Sequence, residues 1–179
     1  MSDTTDPKKL SSNRAFTGRM IHVDVDTVTL PNGRDVPLEI VRHPGAAAIV
    51  PVDDQGNVIL VRQYRYAADG YILEIPAGKL DAGEPPATCA PRELLEETGY
   101  VAESMTPLGF IYASPGFTDE RIWLFLARGL RFEKQALEAD EVLDVETMPF
   151  AKAVALAEAG GIEDGKSIAG LLRAKAFLS

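Results

Sequence analysis

The chain has 179 residues, 46% of them hydrophobic, which suits one compact domain with a buried core, with or without a small appendage, and is too short for two independent domains. A net charge of -9 and a pI near 4.7 rule out a general basic surface, so nucleic acid and anionic membranes are poor partners, and an anionic substrate would need a local device such as bound cations. The single cysteine, Cys89, excludes a disulfide within the chain, and two histidines 21 positions apart, His22 and His43, do not have the spacing of a zinc site and read as surface or strand residues.

In chain order, residues 1–13 are rich in Ser, Asp, Thr and Lys and read as a disordered tail. This start has no apolar core, and no later run is long enough to span a bilayer, so the expectation is a soluble protein of the cytoplasm. The stretch "RMIHVDVDTVTLPNGRDVPLEIVRH" alternates apolar and polar residues on either side of Asn32-Gly33, a hairpin signal, and predicts an antiparallel β-meander over 14–43. From Gly45 onward the runs are shorter and more apolar, predicting strands at "AAAIVPV", "VILVRQYR" and "GYILEIPAG". A loop and helix follow in "GKLDAGEPPATCAPRELLEETGYV", then strands at 107–113, 121–127 and 141–148, with "ASPGFTDE" as the loop between the first two. Two helices are expected at the end, "PFAKAVALAEA" and "KSIAGLLRAKAFL". Cys89, amid helical neighbours and far from any histidine, reads as a packed small residue and not a nucleophile.

The helix in the middle of the chain is locally unfavourable. At about 100° per residue, Glu96 and Glu97 fall within about 60° of Glu93, beside an apolar face of Leu94, Ala90 and Ala87. Like charges at these spacings cost about 0.2–0.5 kcal/mol per pair, and acids in a last helical turn oppose the dipole by about 0.3–1 kcal/mol each. Arg92 can relieve Glu96 at i,i+4, which leaves Glu93 and Glu97 for another cation; hard carboxylate oxygens suit Mg2+ or Mn2+. Pro85 and Pro86 suit a first helical turn, but Pro91 in a helix interior would cost about 3 kcal/mol. The regular helix is therefore expected to begin near Pro91, the alternative being a kink there.

Gly78, Glu84 and the run Arg92-Glu93-Leu94-Leu95-Glu96-Glu97-Thr98-Gly99-Tyr100 match, at every defined position, the pattern G-x5-E-x7-R-E-U-x-E-E-x-G-U, in which U is apolar or aromatic. This resembles the Nudix box. "VRQYRYAADGYILEIPAGKLDAGE", "ASPGFTDE" and Pro115, which stands about fifteen or sixteen residues past the box, are similar to the ADP-ribose pyrophosphatase branch of that family. The likeness covers roughly residues 14–178.

The resemblance implies an α/β/α sandwich with a mixed sheet at 44–179, preceded by the meander, which in similar proteins serves homodimerisation. It implies Mg2+-dependent hydrolysis of ADP-ribose to AMP and ribose 5-phosphate, with Mn2+ able to substitute. The alternatives are another nucleoside diphosphate sugar, such as GDP-mannose or UDP-glucose, and a catalytically silent sensor. Glu93 and Glu97 would be the main metal ligands, Glu96 a further ligand or water-holder, and the Ala77 carbonyl would complete the site, with Gly78 allowing the backbone to come close. Arg92 would orient the carboxylates, and Glu84 would either support the loop or reach a metal through water. Glu141 aligns best with the general base, with Glu138 and Asp140 beside it. Arg65 would hold the diphosphate or terminal ribose, although Arg62 is an equal choice without the family pattern. Glu74, Ser114 and Glu120 are further pocket candidates. Tyr64, Tyr66 and Phe117 would either stack on a base or pack across strands, and Trp123 reads as packing.

Overall fold

The computed structural model describes residues 8–137 and 142–178. The chain divides into two compact units, one holding the N-terminal stretch through Pro44 together with Tyr112–Glu120, the other Gly45–Ile111 and everything from Arg121 onward.

The first unit is an antiparallel sheet in the order β1 (Lys8–Thr17), β2 (His22–Thr29), β3 (Asp35–Arg42). Leu30 N–H donates to the Arg34 carbonyl at 2.8 Å across the Asn32-Gly33 turn, where Gly33 takes the positive φ of 80° that the hairpin needs. Asp24 and Asp26 are nearly buried and are held by Arg14 and Arg42; Arg42 Nε is 3.1 Å from Asp24. Residues 8–13, expected as part of a tail, belong to β1, which pairs from Lys8 opposite Thr29 to Asn13 opposite Val25 with a register shift at Leu10. Every residue of β1 is exposed, so no buried face appears in its sequence; its order comes from backbone hydrogen bonds and the Arg14–Asp24 pair. The segment Tyr112–Glu120 joins this unit through Val41, whose N–H donates to the Phe117 carbonyl at 2.7 Å.

In the second unit, a four-stranded sheet runs β7 (Ala77–Lys79), β4 (Ala46–Pro51), β9 (Arg121–Phe132), β8 (Tyr100–Tyr112), and a three-stranded sheet runs β10 (Leu143–Pro149), β5 (Asn57–Arg65), β6 (Gly70–Glu74). β4 and β9 are parallel while β4–β7, β5–β6 and β5–β10 are antiparallel, which is the mixed arrangement expected. β4 is buried on both faces, so its apolar run shows which helix lies on each side. Ala46, Ala48 and Val50 pack with Leu124, Leu171 and Ala174, the side of α2 (Phe150–Glu158) and α3 (Gly165–Leu178). Ala47 and Ile49 pack with Cys89, Ala90, Leu94 and Phe125, the side of α1 (Pro86–Thr98). The sheet thus lies between helices, an α/β/α sandwich. Among the described residues, no helix is long and apolar enough to cross a membrane.

Two local expectations change. The run "GYILEIPAG" is two strands and not one, because Pro76 has no N–H to donate; β6 pairs with β5 before it and β7 with β4 after it. The helix α1 begins at Pro86, with Pro85 as N-cap, and runs through Pro91 to Thr98. It carries Cys89, Ala90 and Leu94 into the core, so apolar burial offsets the bond that Pro91 cannot make.

Candidate active site

The acidic end of α1 is closed by its surroundings. Gly99 caps the helix in the left-handed region, φ 78°, with its N–H on the Leu95 carbonyl. The Glu97 carbonyl accepts from Gln135 Nε2 at 2.6 Å and the Glu96 carbonyl from Ala136 N–H at 3.0 Å. These donors satisfy two of the orphan carbonyls that would otherwise add negative potential beside the glutamates.

Each carboxylate then has its own seat. Glu97 is 1% exposed and its Oε2 accepts from the Ala77 N–H at 2.9 Å, which brings Ala77 and Glu97 together across β7 and α1. Glu93 is also buried, and its carboxylate lies directly on Gly78: a Cβ at that position would stand 1.9 Å from Glu93 Cδ. Glycine is required there by contact, since any side chain would occupy the carboxylate's space. Glu96 is half-buried and faces Arg92.

Arg92 is the local hub. Its Nη1 reaches Glu93 at 2.7 Å and Glu96 at 2.9 Å, and its Nε and Nη2 reach the two Glu84 oxygens at 3.1 and 2.8 Å. Glu84 also accepts from the Asp81 N–H at 3.0 Å, so Glu84 supports the loop and anchors Arg92. The Arg92 guanidinium, followed by that backbone donor, holds the Glu84 carboxyl well below its ordinary value, to about 2. Burial, and then the charge of Glu93, push the Cys89 thiol up to about 12, so it stays protonated, in keeping with a packed residue.

A second cluster gathers Arg65 and Glu74. Arg65 Nε and Nη2 fork onto the two oxygens of Glu74 at 2.7 and 2.9 Å; Glu74 is 1% exposed, Arg65 about 40%. Burial alone would raise the Glu74 carboxyl, yet Arg65 and Lys166 hold it below the usual carboxylate value. Arg65 is raised, by Glu74 foremost, and also feels the charges of Glu97 and Asp164. Arg62 instead pairs with Glu146 on β10. This distinguishes two arginines that the strand pattern alone leaves equivalent.

Ser114 and Glu120 belong to the first unit, where the Ser114 carbonyl accepts from the Phe117 and Thr118 N–H groups and Glu120 lies 3.5 Å from His43 Nδ1. Tyr64, Tyr66 and Phe117 are exposed, and Tyr64 meets Tyr71 edge-on across β5 and β6. Trp123 packs against the α1-side cluster. Glu138, Asp140 and Glu141 lie outside the described residues.

Sequence reasoning missed Lys166, Asp164 and Gln63. Asp164 with Ser167 three positions later, ahead of an apolar run, is a legible helix start, whereas the contact of Lys166 with Glu74 spans 92 positions and leaves no local signal. Gln63 is buried on the same face of β5 as Arg65, and its Oε1 meets no donor among the described residues.

Among the described residues, no three carboxylate, imidazole or thiol side chains form a ready metal cage. The donor set nevertheless fits a hard cation of the Mg2+ kind, which keeps several waters and takes one or two carboxylates plus phosphate oxygens. Glu93 and Glu97 supply two buried carboxylates on one helix end.

Comparison with known proteins bears on this geometry. The NUDIX domain model matches residues 41–171. The chain is 43% identical over 162 residues to an ADP-ribose pyrophosphatase of Bacillus subtilis (strain 168), covering 89% of this chain and 88% of that protein. It is 40% identical over 170 residues to the methanol dehydrogenase activator of Bacillus methanolicus, covering 94% and 92%. A crystal structure of an ADP compounds hydrolase superposes with a TM-score of 0.85 at 24% identity, over 99% of this chain and 97% of that one, a likeness of fold.

Proposed function

The chain belongs to the Nudix family, and from that premise we propose that it hydrolyses ADP-ribose to AMP and ribose 5-phosphate in the cytoplasm, with Mg2+ as the working cation. The observation that carries this reading is the seating of Glu93 and Glu97, two buried carboxylates on one helix end, against Gly78 and Ala77. Arg92 offsets part of the charge at Glu93, and a divalent cation shared with Glu97 would offset the mutual repulsion of the two buried carboxylates further. Glu93, Glu97, Glu96 and the Ala77 carbonyl are the groups that would hold Mg2+, or Mn2+ in its place. When bound, the cation supplies positive charge for the pyrophosphate oxygens and for the attacking water.

The chain's own residues do the rest. Arg92 spends its guanidinium on Glu84, Glu93 and Glu96, and so orients the carboxylates without needing to touch substrate. Arg65 has five N–H groups and uses two on Glu74, leaving three for the diphosphate or terminal ribose. Glu141 is assigned the proton of the attacking water, whose oxygen joins one phosphorus as the other phosphate leaves. Ser114 and Glu120 are assigned to substrate contact, and the working form is assigned as a homodimer through the N-terminal sheet.

The test is product identification by phosphorus NMR after incubation with Mg2+ and ADP-ribose, GDP-mannose, UDP-glucose or NADH, with Glu97→Gln in parallel. AMP from ADP-ribose, lost by about 10²-fold or more in Glu97→Gln with the fold intact, is the expected result. Preferred cleavage of another substrate would replace ADP-ribose and keep the mechanism. No cleavage of any of them would favour a sensor.

A further inference from the structure

Lys166 reaches the Arg65 cluster from α3, an element that carries none of the box residues. Its Nζ contacts Glu74 Oε2 and lies 3.1 Å from Asp164, and its side chain is only 11% exposed. Its base is fixed twice over. Asp164 accepts from the Ser167 N–H at 2.9 Å as the cap of α3, and Ser167 Oγ accepts from the Ile75 N–H at 2.8 Å, next along the chain to Glu74. The start of α3 is thereby pinned to the end of β6, and Lys166 is delivered to Glu74 Oε2, the oxygen that also accepts from Arg65 Nη2.

A group made only for stability would seldom take this form. Burying charges is costly, and an apolar set of the same volume is often as stable or more so. Here the buried charges lead outward, from Lys166 through Glu74 to an arginine that is about 40% exposed and feels the charge of Glu97 at the acidic end of α1. Without Lys166, Glu74 would keep its desolvation cost with one charge-assisted bond fewer, and its carboxylate could rotate or take a proton. Either change removes the fork that aims Arg65.

We propose that Lys166 is a positioning residue: through Glu74 it fixes the Arg65 guanidinium so that its outer N–H groups face the diphosphate or terminal ribose of a nucleoside diphosphate sugar. The inference rests on the reading of Arg65 as a substrate-binding residue. It places part of the substrate's hold in the C-terminal helix, 92 positions from the residue that Lys166 contacts.

The experiment measures kcat and KM for ADP-ribose at saturating Mg2+ with the unaltered chain, Arg65→Ala, Lys166→Met and Lys166→Arg, each checked by thermal melting. Lys166→Met keeps the buried stem; should it fail to melt cooperatively, Lys166→Gln takes its place. KM is expected to rise by about tenfold or more in both Arg65→Ala and Lys166→Met, the scale of one lost charge-assisted interaction. The change in kcat should stay within about threefold, and Lys166→Arg should bring KM back to within about twofold. A raised KM in Arg65→Ala with an unchanged KM in Lys166→Met would overturn the role of Lys166 and leave the reading of Arg65 standing. An unchanged KM in Arg65→Ala would overturn both.

Discussion

Gly78 shows how narrowly a single residue can be determined. Its carboxylate neighbour Glu93 occupies the space in which a β-carbon would stand, 1.9 Å from Cδ, so even alanine forces Glu93, Gly78 or both to move. Neither partner has room: Glu93 is buried and bonded to Arg92, and Gly78 is paired with Ala47 in the sheet. Gly78→Ala is therefore expected to displace the carboxylate and reduce turnover by about 10²-fold, a misplacement effect on positioned groups. Turnover and far-ultraviolet circular dichroism measured together check this; full activity would mean that Glu93 has no fixed role. The spacing of Gly78 and Glu93 is legible in the sequence, and so is the acidic face itself. The reason for the glycine is not, because a contact between a strand and a helix fifteen positions further on leaves no periodicity. The same holds for Lys166 and Glu74, whose pairing exists only once α3 is docked.

At the scale of elements, hydrophobic pattern located β4, β5, α2 and α3 well, because β4 and β5 bury apolar runs. Of β8 it caught only the second half, expected at 107–113 and running Tyr100–Tyr112 with one buried residue, and it ended β9 at 127 where the strand continues to Phe132. It failed where backbone chemistry competes with pattern. Pro76 divides one apolar run into β6 and β7, and α1 runs through Pro91 because Cys89 and Ala90 reward its earlier turns with burial. It also failed for β1, whose order comes from pairing and not from a buried face. Pro91 itself is exposed, so replacing it with alanine removes little buried apolar surface. Alanine there would restore an N–H for the Ala87 carbonyl and remove the steric conflict, together worth up to about 3 kcal/mol in a helix interior. Against this stands the greater freedom of the unfolded chain, about 1 kcal/mol. Pro91→Ala is expected to stabilise the protein by about 1–2 kcal/mol, a rise in melting temperature of about 2–8 °C for a chain of this size. A melting temperature that falls would show that the rest of α1 has adapted to the proline.

At the scale of the whole molecule, the acidic balance and the edge of the first unit oppose each other. A net charge of -9 favours separate chains, while β1 stands at the edge of its sheet with one row of backbone groups unpaired within that sheet. Leu10 and Phe16 on that strand are 47% and 54% exposed. A long edge strand carrying exposed apolar side chains is an association hazard unless it is covered, and a second copy of the same strand is the simplest cover of matching shape. Lys8, Lys9 and Arg14 bring like charges to this edge, and Arg14 is already paired with Asp24, so the association is carried by Leu10 and Phe16 against a repulsion that salt screens. Sedimentation equilibrium is expected to give about twice the chain mass of 19.3 kDa. Replacing both apolar residues, Leu10→Lys with Phe16→Lys, should bring the mass down to that of one chain while leaving the second unit folded. A double variant that stays dimeric would move the interface away from β1, and an unaltered chain that sediments as a single copy would end the dimer assignment altogether.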